Sequence, residues 1–324
     1  MNKIPLLVIL GPTATGKSDL AVNIAFHVKE LSHGFYTGAE IISADSRQVY
    51  KGLDIGTGKI TKLEMKGVKH HLLDVCSPRK IFDVIQFKKF TENAISKISE
   101  NGKLPIICGG TGFYIDAVVN NINFTNVQAD QKLREKLSEL RPTRLLSMLQ
   151  KLDPVRAAKL NTSDSKNPVR LIRAIEIAKG LSKYNRKVAA LAAVPTTTAQ
   201  AKEYEPIYIG LQLDRETLTK RIANRLMKRI DNGMIEEAIN LHKPMKAGGV
   251  NLSWKRMEAL GLEYRYLARL LQNKISKEEM ITKLNTEINR YAKRQMTWFK
   301  RNEAIHWFKP GQDDEILKFL RTRI

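Results

Sequence analysis

Eight residues near the start of the chain have the types and spacing needed to hold a phosphate group. The segment Gly11-Pro-Thr-Ala-Thr-Gly-Lys-Ser18 follows an apolar run and ends in Lys17 and Ser18. Its glycines let backbone N–H groups close around phosphate oxygens, a following helix start adds partial positive charge, and Lys17 adds a full charge. The Ser18 hydroxyl is a candidate ligand for Mg²⁺. The segment therefore predicts a phosphate-binding loop rather than a glycine turn without a ligand.

Two further motifs carry polar side chains directly after apolar runs. Asp45 follows Ile41-Ile-Ser-Ala44, and Thr111 follows Ile106-Ile-Cys-Gly-Gly110. In open parallel sheets, ligands bind outside the carboxyl ends of the strands, so both side chains are expected in one crevice with the phosphate-binding loop. The alternatives are that Asp45 caps a helix and that Thr111 is an ordinary turn hydroxyl.

The elements that must position these motifs are short apolar strands separated by amphipathic helices, a pattern that predicts an α/β fold with a parallel sheet. The predicted strands are Leu6–Leu10, Glu40–Ala44, His71–Val75, Leu104–Cys108 and Ile207–Leu213. The predicted helices of this part of the chain are Asp19–Lys29, Val84–Ser99, Arg215–Asn240, Trp254–Gln272 and Lys277–Arg301.

The middle of the chain has a different pattern, with helical periods and no convincing strand. Helices are predicted at Gln131–Leu140, Arg144–Leu152 and Asn167–Lys179. Asn167 is expected to cap the third of these, with Pro168 at its first position. A Thr-rich stretch around Pro195 then leads back to the next strand. We therefore predict a core formed by residues 1–124 and 205–324, interrupted by a helical insertion at residues 125–204.

Charge is the most informative property of the composition. The 324 residues carry 55 Lys and Arg against 33 Asp and Glu, a formal net charge of +22, and only +4 of this lies in the first 125 residues. A small phosphorylated ligand needs few positive groups, whereas a polyanion releases counterions when many of its phosphates are neutralised. The excess favours a nucleic-acid partner over simple solubility.

The sequence also indicates the cellular compartment of the protein. The first apolar run is about seven residues long, far short of the ~20 that span a bilayer, and it lacks the layout of a signal peptide. Cys76 and Cys108 fit no zinc or redox spacing and are expected to be reduced. We therefore expect a cytoplasmic protein without a membrane partner.

The motifs in their order along the chain closely resemble the tRNA dimethylallyltransferase family. The matching segments are GPTATGKS, DSRQVY, GLDIGTGK, HHLLD, GGTGFY, NPVRLIRAIE, LTKRIANRLMKRIDNGMIEEA and YAKRQMTWFKRN, which together extend from about residue 5 to residue 308. The resemblance implies a bacterial-type enzyme with a P-loop NTPase-like fold. It also implies transfer of a dimethylallyl group from dimethylallyl diphosphate to N6 of the adenosine at tRNA position 37, beside the anticodon.

The same resemblance implies roles for individual residues. Asp45 would be the general base, Thr111 would hydrogen-bond near the reacting centre, and Arg221 or Arg225 would clamp the diphosphate. The diphosphate would be held by Gly11, Thr13, Ala14, Thr15, Gly16, Lys17 and Ser18 together with these arginines, with Mg²⁺ as cofactor. The implied tRNA contacts are Asp45, Ser46, Arg47, Gln48, Arg134, Arg170, Leu171, Ile172, Arg173, Arg256, Lys293, Arg294 and Arg301. The partner would be the anticodon stem-loop. Apart from the resemblance, a monomer that binds one tRNA is the simplest expectation.

Two other functions compete with this interpretation. A nucleotide or small-molecule kinase would use the same phosphate-binding loop with ATP, and Asp45 or Asp74 would then hold its metal ion. A non-catalytic RNA-binding module would explain the charge but not a complete loop with Lys17 and Ser18. On periodicity, one face of the last long helix carries Ile288, Tyr291, Gln295, Trp298 and Phe299, of which Trp298 and Phe299 are assigned to packing. Lys228 and Arg229 could belong to a solvated basic stripe beside Arg221 and Arg225.

Two segments depart from the family pattern. Gly56-Thr-Gly-Lys59 stands where family members often carry GTAKP, and Arg256–Tyr264 replaces a KAIGYKE-like segment. Both lie in binding regions, so they bear on which tRNAs are used. His70 and His71 have no cysteine neighbours and are predicted to be structural.

Overall fold

The computed structural model describes residues 3–125, 127–188 and 204–324. The Thr-rich stretch around Pro195 lies outside the described residues. Contacts between residues divide the chain into two compact units, one formed by residues 1–122 and 201–324 and the other by residues 123–200.

The first unit is built on a six-stranded sheet in the order β3-β2-β4-β1-β5-β6, in which every neighbouring pair is parallel. Its strands are β1 (Ile4–Leu10), β2 (Ala39–Ser43), β3 (His70–His71), β4 (Leu104–Gly109), β5 (Tyr204–Leu211) and β6 (His306–Phe308). The central strands β1 and β4 are buried along almost their whole length, which explains their continuous apolar sequences. The predicted parallel α/β fold is confirmed.

Helices cover both faces of this sheet, and each face has its own apolar core. Those before the second unit are α1 (Lys17–Leu31), α2 (Lys62–Met65), α3 (Val84–Glu100) and α4 (Gly112–Val119). Those after it are α10 (Arg215–Asp231), α11 (Met234–His242), α12 (Trp254–Leu260), α13 (Leu262–Leu271), α14 (Lys277–Phe299) and α15 (Asp313–Arg321), with a 3₁₀ turn at Met245–Ala247.

The second unit has its own small core, centred on buried leucines of α6 and α9. Its helices are α5 (Gln131–Ser138), α6 (Pro142–Leu152), α7 (Pro154–Ala158), α8 (Thr162–Ser165) and α9 (Pro168–Val188). Asn167 caps α9 as predicted, because its Oδ1 accepts hydrogen bonds from the N–H groups of Val169 and Arg170 at 3.0 and 3.3 Å.

Two predicted helices are each divided into two, and both divisions occur at a glycine. Gly233 has φ +92° and separates α10 from α11, while Gly261 has φ +79° and separates α12 from α13. Glycine adopts this left-handed region without the steric cost that other residues incur. The expectation of continuous helices at Arg215–Asn240 and Trp254–Gln272 was therefore wrong, and the short strand β6 was missed.

No helix among the described residues is long and apolar enough to cross a membrane.

A buried carboxylate ties three strands together at the edge of the sheet. Glu40 on β2 accepts hydrogen bonds from Lys103 Nζ at 2.8 Å, just before β4, and pairs with His71 Nε2 on β3 at 2.6 Å. Burial alone would raise the pKa of Glu40, but the hydrogen bonds from Lys103 and His71 outweigh it and lower the pKa to about 2. His71 is thus structural, as predicted.

We expect Glu40→Gln to lower the free energy of unfolding by about 1–3 kcal/mol near neutral pH, because a buried charged acceptor is lost. The folded-state pKa lies below the ordinary value of 4.5, so the carboxylate stabilises the fold above that pH and the contribution disappears as pH falls towards about 2. Urea unfolding of both proteins across this range measures the difference. Glu30→Gln is the matched control, since exposed Glu30 pairs only at the surface with Arg321. A difference that does not shrink with acidification would contradict this assignment.

Candidate active site

The phosphate-binding loop lies between β1 and α1, at the carboxyl edge of the sheet. Gly11 has φ +146°, and a Cβ there would collide with the carbonyl oxygen of Leu211 on β5. Gly16 has φ +84° and turns the chain into α1, which begins at Lys17. Glycine at these two positions lets the loop pass close to β5 and then present the N-terminus of a 15-residue helix.

Lys17 lies within this loop. Its Nζ donates a hydrogen bond to the carbonyl oxygen of Pro12 at 2.7 Å. Burial, helped by the charge of Arg225, lowers the pKa of the ammonium group to about 8, while Cys108 and Asp45 act in the opposite direction. The charged form of such a poorly solvated group is strongly stabilised when an anion binds beside it.

Arg225 on α10 turns towards the same loop rather than towards solvent. Its Nη1 donates to Thr13 Oγ1 and its Nη2 to the carbonyl oxygen of Gly58, both at 3.3 Å. Burial lowers the pKa of the guanidinium to about 10, with a further lowering from Arg229. Arg229 also turns inward and pairs with Glu263 at 3.0 Å, so it does not belong to a solvated stripe.

Two predicted diphosphate ligands already form hydrogen bonds within the protein, one through its hydroxyl and one through its backbone N–H. Thr15 is fully buried, and its hydroxyl donates to the carbonyl oxygen of Pro12 at 2.9 Å. The N–H of Thr13 donates to Gln295 Oε1 at 3.0 Å. These bonds occupy the Thr15 hydroxyl and the Thr13 N–H in this arrangement. Because such a loop holds phosphate mainly through backbone N–H groups, the contacts of Thr13 and Thr15 with the diphosphate stay predictions.

Gln295 on α14 fixes the loop against the end of β4. While its Oε1 accepts from Thr13, its Nε2 donates to the carbonyl oxygen of Gly110 at 2.8 Å, and the side chain is buried. Sequence analysis placed Gln295 on the packing face of a helix and missed this role. Helical periodicity indicates that a residue is buried but not which distant groups it contacts.

Asp45 begins a turn directly after β2. Its Oδ1 accepts from the N–H groups of Arg47 at 2.7 Å and Gln48 at 3.2 Å, so it stabilises a turn rather than capping a helix. Thr111 is connected to the same turn, since its Oγ1 accepts from Ser46 N–H at 3.3 Å. The structure therefore brings Asp45 and Thr111 together.

Tyr291 on α14 also belongs to this group; sequence analysis placed it on the same helical face as Trp298 and Phe299 and gave it no role at the site. Burial raises the pKa of its hydroxyl, Asp45 raises it further, and a hydrogen bond with Thr111 lowers it. The phenol thus stays protonated and lies beside the two predicted residues.

Three cavities adjoin these side chains and share walls. The outer cavity, of about 480 Å³, is lined by Ala14, Gly16, Lys17, Ser18, Asp19, Gly58, Ile60, Glu64, Arg221, Asn224, Arg225 and Lys228. The inner cavity, of about 90 Å³, is lined by Thr13, Lys17, Ser18, Ile41, Ser43, Asp45, Gln48, Thr57, Ile60, His70, Cys108, Gly109, Gly110, Arg225, Tyr291 and Gln295. The arginine cavity, of about 350 Å³, is lined by Thr13, Asp45, Ser46, Arg47, Thr57, Arg229, Leu260, Gly261, Leu262, Glu263, Arg265, Glu287, Ile288, Tyr291 and Arg294.

The shared walls show how the cavities are connected. Lys17 and Ser18 line both the outer and the inner cavity. Asp45 and Tyr291 line both the inner and the arginine cavity. A molecule that filled the inner cavity would therefore meet Lys17 and Arg225 as well as the Asp45 carboxylate, since all three line it.

The other predicted tRNA contacts in the first unit differ in how they are held. Lys293 and Arg294 are exposed on α14, and Arg294 also lines the arginine cavity. Arg301 stacks on the Trp298 ring at 3.9 Å. Arg256 instead holds a neighbouring loop, donating to the carbonyl oxygens of Pro78 at 2.8 Å and Lys80 at 2.5 Å.

Within the second unit, the predicted contacts are mostly engaged internally. Arg134 forms a bidentate pair with buried Glu176 at 2.7 and 2.8 Å, and Arg173 reaches the same carboxylate at 3.1 Å. Arg170 pairs with Asp164 and remains half exposed. Leu171 and Ile172 are only 0% and 8% exposed and belong to the core of this unit, so their tRNA contacts stay a prediction.

Asp74, the alternative metal ligand, pairs with Lys59 at 2.5 Å instead. His70 lines the inner cavity while its Nδ1 contacts the carbonyl oxygen of Val68 at 2.9 Å. Sequence analysis assigned His70 a purely structural role and gave no indication of this position.

The lowered pKa of Lys17 predicts how the affinity for diphosphate depends on pH. A bound anion should keep Lys17 protonated, so binding requires proton uptake once the pH exceeds the free-chain pKa of about 8. We expect the ratio of the wild-type affinity for inorganic diphosphate to that of the Lys17→Met variant to be level below pH 8 and to fall up to about tenfold per pH unit above it. Calorimetry in buffers of different ionisation enthalpy measures the affinity and the proton uptake together.

Lys17→Met is the matched variant for this measurement. It should bind more weakly at every pH and show only the pH dependence that diphosphate itself contributes. Equal pH profiles for the variant and the wild-type chain would exclude Lys17 as the titrating group.

Comparisons of the sequence and of the structure with known proteins identify the family of this chain. The family model described as IPP transferase matches residues 48–302. A protein of Thermoanaerobacter sp. (strain X514) named tRNA dimethylallyltransferase is 41% identical over 313 residues, which cover 94% of this chain and 91% of that protein. A tRNA dimethylallyltransferase 2 of Treponema denticola is 42% identical over 307 residues, covering 93% and 94%. The crystal structure of a tRNA isopentenylpyrophosphate transferase from Bacillus halodurans matches with a TM-score of 0.68 and 33% identity, covering 99% and 96%. This chain therefore belongs to the IPP transferase family, together with the tRNA dimethylallyltransferases.

Proposed function

We propose that the chain transfers a dimethylallyl group from dimethylallyl diphosphate to tRNA, at N6 of the adenosine next to the anticodon at position 37. One observation carries this proposal: the same inner cavity is lined by two cations, Lys17 and Arg225, and by the Asp45 carboxylate. Lys17 and Arg225 also line the outer cavity, and Asp45 also lines the arginine cavity. Its walls include the apolar side chains of Ile41 and Ile60, which suit a short hydrocarbon chain.

The outer cavity would hold the diphosphate. Lys17, Arg221 and Arg225 line it, and the N-terminus of α1 points its N–H groups and partial positive charge towards it. These groups meet the charge that develops on the diphosphate as the carbon–oxygen bond breaks. Because the groups are already in place, little reorganisation is needed at that moment.

The arginine cavity would receive the adenine, whose base must leave the anticodon stack at a cost of a few kcal/mol. Asp45 lies on the wall shared with the inner cavity and would hydrogen-bond the N6 amine. A bond forms between N6 and the allylic carbon, the carbon–oxygen bond breaks, diphosphate leaves with the electron pair, and Asp45 accepts the N6 proton. Thr111 and Tyr291 hold the Asp45 turn from the side.

The donor set also fits Mg²⁺ as a companion of the diphosphate. Ser18 is exposed at the mouth of the outer cavity, and the described residues contain no cluster of three or more His, Cys, Asp or Glu that could hold a metal. Mg²⁺ commonly has few protein ligands beside substrate phosphates and waters, so Ser18 would be its protein ligand. When bound, the ion would neutralise charge on the diphosphate.

Positive charge around the arginine cavity supports the anticodon stem-loop as the partner. Arg47, Arg265 and Arg294 line this cavity, and Lys293 is exposed on the same helix as Arg294. Because one chain carries all three cavities, we propose that it acts as a monomer, in the cytoplasm where its tRNA substrate would be modified. The family match does not favour the kinase alternative, and we propose that the loop consumes no ATP.

The direct test incubates the chain with dimethylallyl diphosphate, Mg²⁺ and unmodified tRNA, followed by mass spectrometry of the digested nucleosides. We expect adenosine heavier by one C5H8 unit without ATP, and no product with a tRNA that carries guanosine at position 37. ATP consumption with a small acceptor and no prenylated nucleoside would instead indicate a kinase. Salt-sensitive tRNA binding without any product would indicate an RNA-binding module.

Removing the Asp45 carboxylate should separate catalysis from binding. We expect Asp45→Asn and Asp45→Ala to lower the single-turnover transfer rate by about 10²- to 10⁴-fold, because the carboxylate that would accept the N6 proton is removed. The dissociation constant for tRNA, measured by filter binding, should stay nearly unchanged. Asp74→Asn is the control, since Asp74 pairs with Lys59. Loss of activity in that variant, with survival in Asp45→Asn, would reverse the assignment.

A further inference from the structure

Four hydrogen-bond donors converge on the carboxylate of Glu237, which lies in the first turn of α11. Oε2 accepts from the N–H groups of Asp54 at 2.8 Å and Ile55 at 2.6 Å. Oε1 accepts from the N–H of Gly56 at 3.1 Å and from the Tyr264 hydroxyl at 2.7 Å. A carboxylate offers about four lone-pair sites, so these donors use its full capacity.

The segment held in this way, residues 54–58, forms part of the wall of all three cavities. Thr57 lines the inner and arginine cavities, and Gly58 lines the outer cavity. We refer to residues 54–58 as the wall loop. A shift of the wall loop would therefore alter the site at both of its ends.

The carbonyl oxygens of the wall loop also hold the two inward-facing arginines. Arg229 donates to the carbonyls of Gly56 at 3.1 Å and Thr57 at 3.2 Å, and Arg225 donates to that of Gly58 at 3.3 Å. The loop thus receives a carboxylate on its N–H groups and two guanidinium groups on its carbonyls. Glu237 is connected to Arg225 through one short stretch of backbone.

Glycine at two positions makes this close approach possible. A Cβ at Gly56 would lie 2.7 Å from the Tyr264 hydroxyl oxygen, and a Cβ at Gly58 would collide with Arg225 and Arg229. Gly58 also has φ +57°. The departure of this segment from the family pattern at Gly58 therefore coincides with the place where both arginines contact the backbone.

Tyr264 supports the carboxylate from the other side. Burial raises the pKa of its hydroxyl, and Glu237 raises it further, so the group remains a protonated donor. The two side chains come from different helices, α11 and α13, which fixes the carboxylate from two directions.

We propose that Glu237 is a positioning residue for the transfer reaction: it holds the wall loop so that Arg225 and Arg229 stand in place around the reacting groups. This inference rests on the proposed function, because the diphosphate is the group that Arg225 would meet. Glu237 itself touches neither substrate. The alternative is a general benefit of negative charge at a helix N-terminus, which Glu236 in the same turn provides equally.

The test compares Glu237→Gln with Glu236→Gln in the full chain. Glutamine keeps the shape of Glu237 but replaces one acceptor oxygen with an NH2 group that faces other donors. We expect kcat/KM for dimethylallyl diphosphate to fall by about 10- to 100-fold in Glu237→Gln, through a raised KM and a lowered kcat. Glu236→Gln should match the wild-type chain in both kcat and KM.

Two further variants keep the inference testable if Glu237→Gln does not fold. Gly56→Ala should displace the wall loop from Tyr264 and reproduce the kinetic loss, while Tyr264→Phe removes one of four donors and should cause a smaller loss. Equal kinetics for Glu237→Gln and Glu236→Gln would overturn the inference. So would a fall in melting temperature with unchanged kcat and KM for the folded fraction, since that is a purely structural role.

Binding of inorganic diphosphate with Mg²⁺, measured by calorimetry, separates this inference from the proposed function. If the wild-type chain transfers no prenyl group but Glu237→Gln still weakens diphosphate binding relative to Glu236→Gln, the proposed function fails and the positioning role stands. If transfer occurs and both variants bind diphosphate and turn over alike, the proposed function stands and the positioning role fails.

Discussion

The arrangement of the site follows from cations that are held close together and away from water. Burial lowers the pKa of Lys17 to about 8 and that of Arg225 to about 10, because their charged forms are poorly solvated there. Their nearest partners are mostly neutral: the carbonyl oxygens of Pro12 and Gly58 and the hydroxyl of Thr13. Backbone dipoles compensate a charge only partly, so the site retains a strong preference for an anion.

Holding cations with carbonyl oxygens places demands on the backbone. The carbonyl groups of each loop must point towards the cations. The N–H groups of the same loop must then find acceptors elsewhere. The wall loop meets this demand with the Glu237 carboxylate, and the phosphate-binding loop meets it with Gln295, which accepts from Thr13 N–H. Both supporting side chains come from helices after β5, distant in sequence from the loops they hold. The helices that follow the sheet therefore position the site as much as the sheet does.

This division explains which parts were predictable from the sequence. The phosphate-binding loop, Asp45 and Thr111 follow apolar strands directly, so their type and neighbours indicated both the fold and the crevice. Gln295 and Glu237 gave no such signal, because their partners lie 282 and about 180 residues away. Periodicity placed Gln295 on a buried face correctly but could not identify its contacts. Charge counting likewise could not distinguish Arg134, which is paired with Glu176, from Lys293, which is exposed.

The size of the inner cavity bears on why a phosphate-binding loop could serve chemistry at carbon. In the proposed reaction, an allylic carbon with partial positive character must meet an amine before it meets water. The inner cavity is about 90 Å³, against about 480 Å³ for the outer cavity, and Ile41 and Ile60 contribute apolar walls. A hydrocarbon chain that filled this space would displace most of its water. The amine that Asp45 hydrogen-bonds would then be the nucleophile available to the allylic carbon. Transfer rather than hydrolysis would then depend on the small inner cavity, and the phosphate-binding loop would need no change from one that holds a nucleotide.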